Sequence, residues 1–92
     1  MIRWPGHIKP GSIANDILGS HDWFPTLVAA AGDTGVSERL LNGWTIGDRT
    51  YRVHLDGYNQ LPYLTGQQDK SARRAFIYFS DDGQLIAMRV DN

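Results

Sequence analysis

Three short clusters combine side chains able to do chemistry: His21-Asp22, His54-Leu55-Asp56 and Asp81-Asp82. Hydrolytic or metal-assisted chemistry needs imidazole and carboxylate groups converging within a few ångströms, with one position open to water. Residues two apart on a strand project to the same side, so His54 and Asp56 can meet if that stretch is extended. Two ligands do not fix a metal. The simpler reading puts His54 on the solvent side of its strand and Asp56 at a turn. By the same logic His21-Asp22 is a helix-start pair whose carboxylate complements the helix dipole, and Asp81-Asp82 is turn chemistry. Trp4, Trp23, Phe24 and Trp44 suit either a stacking platform for a ligand ring or core packing. The ligand-site candidates are therefore His54, Asp56 and Trp44, and no residue is given a catalytic, cofactor-binding or metal role.

Nucleophiles and phosphate cradles find no support. The chain has no cysteine, which removes a disulfide framework, a thiolate zinc site and a cysteine nucleophile together. Ser12, Ser20, Ser37, Ser71 and Ser80 lack the Gly-x-Ser-x-Gly context of a nucleophile elbow. Neither Gly-x-Gly-x-x-Gly nor Gly-x-x-x-x-Gly-Lys-Ser/Thr occurs.

The elements that must position these groups can be read from periodicity. Pro5-Gly6 and Pro10-Gly11 punctuate the opening into turns, so it reads as a strand end running into a loop. Phe24, Leu27, Val28 and Ala31 fall at helical spacing and predict one amphipathic helix over about 21–31, capped by Ser20 or Asp22 and ended by Gly32. Pro25 is tolerable in its first turn. Residues 33–48 read as loop with at most a short helical turn. Alternation of Tyr51, Val53 and Leu55 with Arg52 and His54 predicts a short strand over about 50–55. A short helical segment over 58–64 would present Tyr58, Leu61 and Leu64, and 66–74 reads as a polar surface linker. Two β-type runs flank Asp81-Asp82-Gly83-Gln84, predicting an antiparallel hairpin over about 76–90. With Asp82-Gly83 as the turn, Phe79 faces Ile86 and Ile77 faces Met88, giving one continuous apolar face that needs a further strand or helix against it. The fold class is α+β, in one small domain over 1–92.

Composition bounds the rest. Ninety-two residues, 41% hydrophobic and 21% charged, make one small domain at most. Size scaling puts the folded surface at roughly 5,400 Å² and the unfolded one at roughly 15,000 Å². Nine Lys+Arg against ten Asp+Glu give a net charge of −1, which offers no general attraction for nucleic acid or an anionic membrane. No apolar stretch approaches the roughly 20 residues of a membrane span, and no secretory leader is evident, so a cytoplasmic product is expected if the chain is expressed as written.

Whole phrases carry a further signal. Arg3-Trp4-Pro5-Gly6 with Ile8-Lys9-Pro10-Gly11, then Asp22-Trp23-Phe24-Pro25-Thr26-Leu27 ending in Ala30-Ala31-Gly32, resembles the later part of an arylsulfatase catalytic domain. His54-Leu55-Asp56-Gly57-Tyr58-Asn59 and Leu61-Pro62-Tyr63-Leu64-Thr65-Gly66 follow in the same order. Phe79-Ser80-Asp81-Asp82-Gly83 through Arg89-Val90-Asp91-Asn92 resembles the first hairpin of the C-terminal subdomain.

The resemblance implies a piece of an alkaline-phosphatase-like α/β fold, with 1–66 closing the catalytic domain and 67–92 opening the C-terminal subdomain. It also implies sulfate ester hydrolysis by a formylglycine nucleophile beside a calcium ion, in enzymes that are often periplasmic, secreted or lysosomal. Formylglycine is made from a Cys/Ser-x-Pro-x-Arg motif, and these 92 residues contain none. The metal-binding and sulfate-gripping segments would precede Arg3, so no cofactor is assigned to this chain. The expectation is a truncated arylsulfatase-like polypeptide, inactive alone, whose orphaned packing faces make it a homo-oligomer. The alternative is a module binding a small ligand or protein through its aromatic residues and His54/Asp56.

Overall fold

A computed structural model describes residues 1–91. Asn92, the last residue of the resemblance, lies outside the described residues. The fold is α+β. It comprises two compact units, Ser20–Leu61 and Met1–Gly19 together with Pro62–Asn92.

In the first of these, a 3₁₀ turn over Ser20–Asp22 leads into α1 (Trp23–Ala30), within the predicted span. Pro25 sits in its first turn. Gly32 ends it as expected: the Gly32 N–H donates to Ala29 O (2.9 Å) and the Asp33 N–H to Val28 O (3.1 Å). The inward face differs from the predicted stripe. Phe24 and Leu27 are 53% and 62% exposed, while Pro25, Thr26 and Ala29 are buried. The inner partner is a polar stretch of chain at 58–60, so Thr26 turns inward and the large apolar groups turn out. Nor does Asp22 cap the helix, because its carboxylate is bonded elsewhere.

Residues 33–48 are more ordered than a loop. Asp33 Oδ1 accepts the Gly35 N–H (3.0 Å) and pairs with Arg39, which starts α2 (Val36–Asn42). Val36 is buried, and α2 packs on α1. Flanking glycines hide this helix from a periodicity reading; burial of Val36 and the contacts of Asp33 with Gly35 and Arg39 hold it. Next, β1 (Trp44–Ile46) pairs antiparallel with β2 (Arg49–Tyr51) across Gly47-Asp48. Gly47 has φ +63, the first central position of a type II′ turn, and Thr45 and Thr50 share a cross-strand hydroxyl bond of 2.8 Å. The strand predicted to Leu55 stops at Tyr51. Its partner is only three residues long, and beyond it the Val53 N–H donates to Leu40 O of α2 (2.9 Å) instead of to a strand.

In the other unit, the opening residues form turns and not a strand end, with Trp4 O accepting from His7 and Ile8. The predicted helical segment is one turn, α3 (Leu61–Leu64), started by Asn59 Oδ1 on the Leu61 N–H, so Tyr58 lies outside it. The polar stretch 66–74 is committed, since Ser71 donates its N–H to Asp16 Oδ2 (2.9 Å) and its hydroxyl to Ile17 O (2.6 Å).

The hairpin is present as β3 (Ala75–Phe79) and β4 (Leu85–Val90). Ile77 faces Met88 as predicted, but Phe79 faces Leu85. The turn is three residues, Asp81-Asp82-Gly83, closed by the Ser80 N–H on Gln84 O (2.9 Å) and the Gly83 N–H on Ser80 O (2.9 Å). Gly83 at φ +79 takes the left-handed place such a loop requires. The extra turn residue shifts the register by one, and an irregularity at Tyr78/Phe79 restores it. The apolar face formed by Ile77, Phe79, Leu85, Met88 and Val90 is 45–67% exposed.

Candidate functional site

Residues 52–60 belong to no helix or strand, yet they hold the leading candidates. The structure brings His54 and Asp56 together, with Nδ1 3.2 Å from Asp56 Oδ1. Irregular chain makes this pair, where a strand was expected to. Both side chains stand in solvent, 72% and 85% exposed, so the pair is well screened and cheap to break. Trp44 is placed differently. The Arg39 guanidinium lies over its ring, 4.3 Å from the centroid, and Tyr51 is its cross-strand neighbour. Only its opposite face remains for stacking. Trp4 is stacked on His7, with centroids 3.9 Å apart and planes 9° from parallel.

Of the other clusters, His21 is exposed while Asp22 is fully buried, so the adjacent pair divides between solvent and interior. Asp81 and Asp82 occupy the hairpin turn. Among the described residues, no group of three or more His, Cys, Asp or Glu side chains could hold a metal ion. A calcium ion needs six or more oxygens, so these residues do not fit the ion that the resemblance implies.

The most connected polar group was not among the candidates. Asp22, Thr26 and Gln60 are 0%, 3% and 1% exposed. Asp22 Oδ1 accepts the Tyr58 N–H (2.8 Å) and Oδ2 accepts from Gln60 Nε2 (3.4 Å). Thr26 Oγ1 accepts the Gln60 N–H (2.9 Å) and donates to Tyr58 O (3.4 Å). Residues 58–60 are thus bonded to α1 through side chains, as a strand would be through backbone. Gly57 permits the approach: a Cβ there would collide with the backbone carbonyl of His21. These bonds satisfy buried groups completely and leave no polar atom turned toward a ligand, so the cluster is structural. Its signal in the sequence was the Asp56-Gly57 pair followed by polar Asn59 and Gln60, which a search for converging ligands passes over.

A second polar group lines a cleft of about 600 Å³ formed by Asp16, Lys70, Ser71, Arg73, Arg74 and Asp91, together with Ile17. Arg74 donates from Nε to Asp91 Oδ1 (3.0 Å) and from Nη2 to Asp91 Oδ2 (3.2 Å), a two-point fork. That hydrogen bonding, more than simple charge attraction, holds the Asp91 carboxyl below its ordinary value and the Arg74 guanidinium above its own. Anions and cations are nearly balanced around the cleft, so it selects neither sign strongly.

No protein-family model matches the chain, and no solved structure matches it. Curated proteins do. It is 36% identical over 76 residues to arylsulfatase A of Homo sapiens, covering 83% of this chain and 12% of that protein. Arylsulfatase A of Bos taurus is 35% identical over 77 residues, covering 84% and 12%. Arylsulfatase of Hemicentrotus pulcherrimus is 32% identical over 90 residues, covering 98% and 13%. Over most of its residues the chain is therefore similar to the arylsulfatases, of whose length it spans about an eighth.

Proposed function

We propose that these 92 residues are a structural segment of a sulfuric ester hydrolase, one that supplies packing faces and not the reacting groups. The observation that carries this reading is the similarity to three arylsulfatases over 83–98% of the chain. In this reading 1–66 close the catalytic domain of an alkaline-phosphatase-like fold and 67–92 open its C-terminal subdomain. Sulfate ester cleavage needs a covalent nucleophile, stabilisation of charge on the sulfuryl oxygens and a general acid for the leaving alcohol. The 92 residues offer no Cys or Ser-x-Pro-x-Arg motif to become the nucleophile. His54 and Asp56 stand in bulk solvent, where an imidazole–carboxylate pair gains little catalytic power. The isolated polypeptide should release no nitrophenol from nitrophenyl sulfate above background. Turnover by homogeneous protein, abolished by His54→Ala, would refute this.

A second reading rests on the contact between His54 and Asp56, which presents an imidazole and a carboxylate outward for a small ligand or partner. Thermal shifts with sulfated aryl compounds, sugars and divalent metals test it. A midpoint that rises with one of them, and no longer rises in His54→Ala, would favour it over a purely structural segment.

A further inference from the structure

We propose that β3 pairs edge to edge with β3 of a second copy of this chain, antiparallel and centred on Ile77. This inference goes beyond the sulfatase reading and concerns the edge that β3 presents in the 92-residue chain. Among the described residues the β3–β4 sheet has two strands, so each strand keeps an open edge. The two edges differ. β3 reads Ala-Phe-Ile-Tyr-Phe, without charge or proline, whereas β4 carries Arg89. Uncharged, β-forming edges template pairing, and charged ones resist it.

The hydrogen-bond pattern fixes which backbone groups face out. Asp91 N–H donates to Arg74 O (2.8 Å), so Arg74 and Asp91 are a bonded pair of the ladder. Bonded pairs recur every second residue, which turns Phe76 and Tyr78 inward toward β4 and leaves Ala75, Ile77 and Phe79 facing the open edge. Centred on Ile77, antiparallel pairing sets Ile77 against Ile77 and Ala75 against Phe79 of the second copy, so outward groups meet outward groups. Phe76, whose ring is 4.8 Å from that of Tyr78 within the strand, then lies across from Tyr78 of the second copy and extends that aromatic contact. The Ala75 carbonyl already accepts from Arg73 Nη1 at 3.4 Å and has a second lone pair for the new bond.

Charge selects the orientation. Arg73-Arg74 precede β3 and Asp81-Asp82 follow it. Antiparallel pairing in this register brings Arg73 opposite Asp81 of the second copy, whereas parallel pairing would stack like charges at both ends. The strand itself is open to a partner, with Ile77, Tyr78 and Phe79 45%, 46% and 61% exposed.

The chain lacks cysteine, so single thiols can be placed cleanly. At about 50 µM the 92-residue chain should sediment above monomer mass, and Ile77→Pro, which removes the outward N–H at the axis, should raise the dissociation constant at least tenfold. Mild oxidation should link Ile77→Cys into disulfide dimers, because bonded antiparallel pairs hold Cα atoms about 5.5 Å apart, within disulfide reach. Met88→Cys on the β4 strand should link at least tenfold less. A wild-type monomer at that concentration, or equal linking at both positions, would overturn the proposal. Should Ile77→Pro fail to fold, the thiol comparison alone decides.

Discussion

Asp22 is wholly buried and accepts from both the Tyr58 amide and the Gln60 side chain. Asp22→Ala would leave two buried donors without an acceptor, a loss of about 2–4 kcal/mol, to be read as a fall in urea midpoint. Gly57→Ala should be comparably damaging for a steric reason, since the new methyl would collide with the His21 carbonyl. We expect about 2–3 kcal/mol, or no folded protein, by thermal melting. Arg74 and Asp91 make a different, pH-dependent prediction. The folded Asp91 carboxyl lies below its ordinary value of 3.8 because the Arg74 guanidinium bonds it. The stabilisation it brings is complete above about that pH and is lost as pH falls through the lower folded value. Both side chains are largely exposed, 80% for Arg74 and 58% for Asp91, so solvent screens the pair and the effect is local. Acid titration followed by NMR should show the Arg74 Nε–H resonance losing its bonded position at a pH below the ordinary carboxylate value, and Asp91→Asn should abolish that transition. At this scale His54 and Asp56 were legible from their spacing as a pair that could meet. The buried role of Asp22 was not, because its partners lie 36 and 38 residues away and nothing local announces them.

The elements were legible where local chemistry and packing agree. The helix at 23–30 follows from its composition and from Gly32, and the β3–β4 hairpin follows from two β-rich runs around Asp-Gly. The inward face of α1 was not legible, since polar Thr26 outcompetes Phe24 and Leu27 for the interior only because Tyr58 and Gln60 need its hydroxyl. Short elements escaped for the same reason: α2 depends on Asp33 and on burial of Val36, and β1 depends on a three-residue partner. The hairpin turn illustrates the limit of reading dipeptides. Asp82-Gly83 marked the place correctly, but Ser80 recruits three residues into the loop, and its hydroxyl also accepts the Gln84 N–H (3.1 Å). Gly83→Ala forces a side chain into a left-handed position and should cost about 1 kcal/mol, seen as loss of strand signal and a lower melting temperature.

For the whole molecule, the uncovered apolar face of the β3–β4 hairpin is the dominant fact, with Ile77, Phe79, Leu85, Met88 and Val90 45–67% exposed. Among the described residues of the Ser20–Leu61 unit, buried apolar side chains are few, Pro25, Ala29 and Val36, which is why a buried polar cluster carries so much of that unit. One consequence concerns amide protons. The N–H groups of Tyr58 and Gln60 lie in irregular chain, where exchange with deuterated solvent is ordinarily fast. Held on Asp22 and Thr26, they should instead exchange as slowly as the interior of α1, and an exchange map would show a protected island in the middle of an apparent loop.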